Sequence, residues 1–386
     1  MASGGKGRGR IAIVGAAESD ALGKLPQKSA LMLHAEGARN ALGDAGIAPS
    51  EVDAVLSTGR QTANDVPEYL GIRPRYMDNT QMGGCSFIAH LQHALGLIEA
   101  GIAEVVLITH GESGRSRVGM GGTGFSPDSP PGQYEMPVGS GGPATRYGLA
   151  ATRHMHEYGT TKRQLAEVAV ATRDWASLNP RASMRDPITI QDVLDSRQVA
   201  WPFNLLDCCL VTDGGGALVV TSAERARDCR QKPVYVLGTG EATTHSIVSQ
   251  MPRFHIWDAA ITSGQGAWAM SGVKHSEIDL AMLYDAFTIV PIMALEALGF
   301  CGFGEGGAFV EGGRTGPGGD FPMNTNGGGL SYTHTGMYGM FLLIEAVRQL
   351  RGVCEGRQVP GAKTAICHGT GGIFSAAATA ILSTER

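Results

Sequence analysis

The sequence predicts an α/β protein made of two similar halves, and three observations predict it. Short runs rich in Val, Ile and Leu alternate with segments of helical period. Stretches of the first part recur in order, at nearly constant spacing, in the second. Clusters of Gly fall where strands pass into helices. The strands are read as "IAIVGA", "VDAVLS" and "VVLITH". The helices are read as "ALMLHAEGARNALGDAG" and "SFIAHLQHALGLIEAG", each ending at Gly.

The recurrences carry the duplication. Ser50, Glu51 and Asp53 of "AGIAPSEVDAVLS" recur as Ser276, Glu277 and Asp279 of "SGVKHSEIDLAMLY". "GGCSF" (83–87) recurs as "GGLSY" (328–332), and "LIEA" (97–100) as "LIEA" (343–346). The halves are placed at 1–250 and 251–386, with an insertion at about 111–200 lengthening the first. The insertion opens on a Gly-, Ser- and Pro-rich stretch that reads as a long binding loop or lid. "LLDCCLVTDGGGALVVTS" reads as a hairpin with an Asp-Gly turn, and "KTAICHGTGGIFSAAATAIL" as a strand entering a Gly-rich turn.

Composition narrows the function. The chain has 386 residues, 43% hydrophobic and 17% charged, enough to bury a large core. A formal net charge of −5 and the lack of a basic run argue against nucleic acid. No apolar stretch reaches the length of about 18 residues that spans a bilayer. The polar start "MASGGKGRGR" reads as a frayed tail, so a soluble, cytoplasmic protein is expected. Cysteines stand at 85, 208, 209, 229, 301, 354 and 367, with no Cys-x-x-Cys pair. Neither a disulfide framework nor a metal site is expected.

Four segments are candidates for chemistry because loops at the carboxyl ends of strands collect ligands. In "GGCS", two glycines turn the chain, Ser86 is placed to cap the next helix, and Cys85 sits by its positive end. Cys85 reads either as a nucleophile or as a core cysteine under a tight turn. "YTHTG" places His334 on the matching turn of the second half, where packing of the halves brings it toward Cys85. "CHGTGG" adds Cys367 and His368. "YDAF" puts Tyr284 at a strand end, able to donate to a carbonyl oxygen or relay a proton.

These residues resemble the thiolase superfamily, in its lipid-transfer-protein or sterol-carrier-protein thiolase-like branch. "NPRASMRDPITIQDVLDSRQVAWPFNLLDCCLVTDGGGALVVTS" and "NTNGGGLSYTHTGMYGMFLLIEAVRQLRG" carry the resemblance, which spans nearly the whole chain. It implies a duplicated α/β/α/β/α layered fold. It aligns His334 with the activating histidine, between Thr333 and Thr335. It aligns Cys367 with the second cysteine and Tyr284 with the Asn or His of the oxyanion motif. Counted back from "LIEAG", Gly84 falls on the nucleophile position and Cys85 one residue later.

The resemblance further points to a subgroup that works with a small zinc-ribbon/OB-fold subunit, and to a homodimer. Its thiolases pass the acyl group of a bulky β-ketoacyl-CoA to coenzyme A through Cys85, His334 and Cys367; this is the first expectation. Its retro-aldolases cleave β-hydroxyacyl-CoA side chains with tyrosines, for which Tyr284, Tyr332 and Tyr338 are available. A non-catalytic scaffold is the third reading. Arg115, Arg117 and Arg146, with Gly328, Gly329 and Gly371, are the expected contacts of coenzyme A.

Overall fold

The computed structural model describes residues 5–59, 64–118 and 126–386. In chain order it runs β1 (Ile11–Glu18), α1 (Ala30–Ala45), β2 (Ala54–Ser57), α2 (Asp65–Leu70), β3 (Tyr76–Asn79), α3 (Ser86–Glu99) and β4 (Val105–Ser113). The insertion follows with α4 (Pro130–Tyr134), α5 (Pro143–Tyr158), α6 (Lys162–Ser177), α7 (Ile190–Asp195) and the small β5 (Gln198–Ala200) and β6 (Phe203–Asn204). Then come β7 (Asp213–Ser222), β8 (Val234–Thr243), α8 (Asp258–Ser271), β9 (Leu280–Leu283), α9 (Ile289–Ala297), α10 (Gly306–Phe309), α11 (Gly339–Arg351), β10 (Thr364–Gly371) and β11 (Ala376–Ser383).

Strands pair in the order β3-β2-β4-β7-β1-β8-β11-β10-β9. The set β1-β7-β4-β2 repeats the order of β8-β11-β10-β9, with β3 added to the first. The second set begins with β8, ahead of residue 251. Among the described residues, the strand pairs Ala12↔Tyr235 and Ile13↔Val234 join the two sets. Helix α1 packs on β1, β4 and β7, and α8 on β8 and β11. Helices α3 and α11 touch each other and strands of both sets. The layers are therefore helix, sheet, paired helices, sheet, helix. Close approach of the outer helices needs glycine: a Cβ on Gly15 would lie 2.2 Å from the Ala41 carbonyl oxygen, and one on Gly238 the same distance from that of Ala267.

The recurrent Ser-Glu-x-Asp has a physical reason. Glu51 Oε2 accepts the Ala48 N–H at 2.8 Å, and Glu277 Oε2 the Lys274 N–H at 2.7 Å. Asp53 Oδ2 then accepts the N–H groups of Glu104 and Val105 at the start of β4. Asp279 Oδ2 does the same for Lys363 and Thr364 at the start of β10. Each motif closes a one-turn helix and ties its strand to the next one in the sheet.

The expected Asp-Gly hairpin is not formed. "DGGG" lies inside β7, paired with β4 from Ser113↔Asp213 to His110↔Gly216. These glycines make room rather than a turn. A Cβ on Gly37 of α1 would stand 2.7 Å from Gly216 Cα. "KTAICHGTGGIFSAAATAIL" does form the expected strand and Gly-rich turn, as β10, and continues beyond it into a second strand, β11, paired antiparallel to the first.

Candidate active site

The site is assembled from the end of β9. Tyr284 N–H donates to the His368 carbonyl at 2.9 Å, which carries the sheet pairing one residue past β9. The next residue, Asp285, is fully buried and holds a turn in place. Its carboxyl accepts the N–H groups of Gly329 (2.7 Å) and Leu330 (3.3 Å). Gly328 enters that turn at φ +61°, where a Cβ would lie 2.0 Å from Asp285 Oδ2. No other residue fits there. Burial pushes the Asp285 carboxyl up to about 7, against the pull of the turn's N–H groups. Asp285→Asn loses an acceptor and leaves one buried N–H unpaired, so it is expected to cost about 1–3 kcal/mol. Urea denaturation midpoints measure this.

The turn delivers His334. Its N–H donates to Thr212 Oγ1 at 2.9 Å, and its carbonyl accepts the Thr212 N–H at 3.0 Å. Thr333 Oγ1 bonds Thr212 Oγ1 (2.8 Å), and Thr335 Oγ1 bonds His110 Nε2 (2.7 Å). The two threonines that flank His334 thus anchor its turn from both sides. Tyr284 Oη lies 3.1 Å from His334 Nε2 and accepts the Tyr338 N–H at 3.0 Å. Desolvation lowers the imidazole to about 4 and raises the phenol well above 10. At neutral pH both are uncharged, and in the tautomer with the proton on His334 Nδ1 the phenol donates and Nε2 accepts.

Tyr284 and His334 face a cavity of about 600 Å³. Its wall also carries Gly84, Gly371, Arg117 and Arg146, the last buried and ion-paired with Glu135 at 3.0 Å. Gly114, Pro131, Glu135, Pro143 and Tyr147 bring the insertion to this wall. Of the loop expected to close over the substrate, 111–148, residues 119–125 lie outside the described residues.

Other candidates stand away from the cavity. Cys85 is 0% exposed, and its thiol points back to the Met82 carbonyl at 3.2 Å. Burial pushes that thiol up to about 12. Ser86 does not cap α3; its hydroxyl accepts the Met82 N–H at 2.9 Å instead. Cys367 is buried within β10 with Sγ toward the Leu342 carbonyl. His368 bonds Thr379 Oγ1 at 2.8 Å and packs edge-on to Trp257. Tyr332 is buried on Glu18, which is also held by Arg348 and Arg181. Arg115 is exposed and reaches the Val211 carbonyl, while Gly328 and Gly329 are taken up by Asp285.

Gly84 explains where the cysteine has gone. A Cβ there would lie 2.4–2.6 Å from the ring and hydroxyl of Tyr284. The tyrosine fills the space that a side chain at this position would enter. Sequence reasoning also passed over Glu112, which lines the cavity near the end of β4. Its one signal was a carboxylate closing the apolar run "VVLITHGE". Among the described residues, no group of three or more His, Cys, Asp or Glu side chains is arranged to hold a metal ion. No helix among them is long and apolar enough to cross a membrane.

Residues 240–384 match the thiolase C-terminal domain-like family. The chain is 36% identical over 358 residues to a 17-hydroxy-3-oxo-4-pregnene-20-carboxyl-CoA lyase of Mycobacterium tuberculosis, covering 89% of this chain and 92% of that one. It is 35% identical over 382 residues to a steroid side-chain-cleaving aldolase of Thermomonospora curvata, covering 95% and 96%. A solved structure, the Ltp2-ChsH2(DUF35) aldolase, superposes with a TM-score of 0.91 at 32% identity, covering 98% of this chain and 99% of that one. Fold, length and sequence agree: the chain belongs to the thiolase superfamily, in its sterol-carrier-protein thiolase-like branch.

Proposed function

We propose that this enzyme is a retro-aldolase that cleaves the β-hydroxyacyl side chain of a bulky, steroid-like CoA thioester. One observation carries the reading. The cavity presents a tyrosine–histidine pair, and the tyrosine ring occupies the space before Gly84 where a nucleophile would project. The names of the two relatives described above, a lyase and an aldolase, support the same chemistry.

In this mechanism the substrate β-hydroxyl gives its proton to Tyr284 Oη as Tyr284 passes its own to His334 Nε2. The C–O double bond forms as the Cα–Cβ bond breaks. The electron pair moves into the thioester as an enolate, which is then protonated at Cα. A ketone or aldehyde leaves, and no free coenzyme A is consumed. Tyr284 acts as a neutral relay, because its burial opposes a standing phenolate. Arg117, Arg146 and Gly371 are the wall residues proposed to face the coenzyme A part of the substrate. We extend to this chain a homodimer and a small zinc-ribbon/OB-fold subunit. The two-component name of the superposed aldolase supports the second of these.

Acyl transfer through Cys85 requires a thiolate open to the cavity, and the burial of Cys85 argues against it. A scaffold role leaves Tyr284, His334 and Glu112 on a cavity wall without a use. Cys85→Ser, co-produced with the partner subunit, is expected to keep cleavage within about threefold of wild type. Mass spectrometry after incubation with a β-ketoacyl-CoA is expected to find no acyl adduct on either protein. An adduct on Cys85 that disappears in the variant, together with lost turnover, returns the assignment to the thiolases.

A further inference from the structure

We infer that Glu112 is the acid that protonates the enolate carbon; this rests on the retro-aldolase reading and completes it. That reading needs a proton donor for Cα. Cys367, aligned with the residue that moves the α-proton in thiolases, is buried within β10 and off the cavity wall. The donor has to come from elsewhere.

Glu112 has the position. A second cavity of about 630 Å³ adjoins the first, and Gly83, Glu112, Ser246, Met337 and Gly372 line both. Glu112 is the one titratable side chain of those five. Its carboxyl is pressed against the His334 turn: a Cβ on Gly336 would lie 2.6 Å from its atoms. The Met337 N–H bonds the carboxyl, while Oε2 is buried with no hydrogen-bond partner. Its charge is close enough to Tyr284 to bear on the phenol's ionisation. A substrate with its β-hydroxyl on Tyr284 has Cα two bonds from that oxygen, inside the cavity that Tyr284 and Glu112 both line.

Glu112 also has the proton. Burial raises its carboxyl to about 7, opposed by the Met337 amide and the nearby charge of Arg117. The titratable and charged groups that line its two cavities are Arg117 from the segment after β4, Glu135, Arg146 and Tyr147 of the insertion, Cys209 ahead of β7, His245 after β8, Tyr284 after β9 and His334 on its turn. The step balances. Glu112 gives H⁺ to Cα and becomes a carboxylate, while His334 holds the proton from the β-hydroxyl. Exchange with solvent on product release restores both. A donor must be protonated, so the rate is expected to fall as pH rises through about 7.

Two assays on the co-produced complex test this. One follows cleavage of a β-hydroxyacyl-CoA. The other follows deuterium entry at Cα of propanoyl-CoA in heavy water, which needs enolisation but no C–C cleavage. Glu112→Gln is expected to lose about 10²-fold in both and to lose the fall in the cleavage rate above pH 7, while exchange by the wild type, which needs the carboxylate to take the first proton, rises with pH through the same range. Glu112→Asp is expected to recover part of the exchange, which a structural role for the carboxyl does not predict. Wild-type cleavage with unchanged exchange and an unchanged pH profile in Glu112→Gln overturns the assignment and leaves the retro-aldolase reading intact. Glu112-dependent exchange without cleavage by the wild type sinks the retro-aldolase reading and keeps Glu112 as the α-carbon acid. Neither activity in the wild type overturns both.

Discussion

Tyr284→Phe lowers kcat for β-hydroxyacyl-CoA cleavage by about 10²–10⁴-fold, with a small change in KM, if the phenol is the relay between substrate and His334. The ring is retained, so its packing against Gly84 survives. What is lost is one oxygen with two bonds, to His334 Nε2 and from the Tyr338 N–H. The second bond is buried, and its loss leaves an N–H unpaired at a cost of about 1–3 kcal/mol. The variant is therefore expected to fold with a lower urea midpoint and to bind substrate while failing to turn it over. The pH profile gives an independent reading. His334 must be neutral to accept the proton. Its pKa is lowered to about 4, so the acid limb belongs near pH 4 rather than near 6.5. Steady-state cleavage across pH and single-turnover rates measure both. A variant within threefold of wild type removes Tyr284 from the mechanism.

How much of this could be read from the sequence depends on the range of the interaction. Ser-Glu-x-Asp was legible in both halves because half of its work is local: Glu51 closes its own turn, while Asp53 reaches the backbone of the neighbouring strand from 51 residues away. The strand–helix alternation was legible for the same reason. "GGCS" misleads because every local rule for a reactive cysteine is met by glycines, a helix start and a small neighbour. The direction of the Sγ vector is not local. It is set by β10, since a Cβ on Gly369 or Gly371 would lie within about 3 Å of Cys85 atoms, and that strand closes over the thiol. "TDGGG" fails likewise. Gly215 is needed by α1 on one face of the sheet and Gly216 by α11 on the other, and a turn is the only use that sequence neighbours suggest. Glu112 carried no motif. Its role depends on a wall built by the loops after β4, β8 and β9 and the His334 turn, which meet only in the folded chain.

Gly84→Ala carries the second large effect, and it tests the geometric core of the assignment. The new methyl would enter the Tyr284 ring at 2.4 Å, a buried contact with a rigid ring that has no flexible end to swing away. Either the ring moves or the turn of Gly83–Cys85 does. Overpacking of this kind costs about 1–3 kcal/mol. A ring shift of about 1 Å pulls Oη out of line with His334 and costs about 10²-fold in turnover. Tyr284→Ala on its own opens a cavity worth about 3–5 kcal/mol and abolishes the relay. The two changes share one volume, so their effects on stability should not add. In the Gly84→Ala/Tyr284→Ala double variant the methyl has room, and the clash term vanishes. The double variant is expected to be about 0.5–3 kcal/mol more stable than the sum of the singles requires. Urea unfolding of the four proteins gives the coupling directly. A coupling near zero means that Tyr284 does not occupy the space before Gly84, and with it goes the reason for expecting no nucleophile at that position.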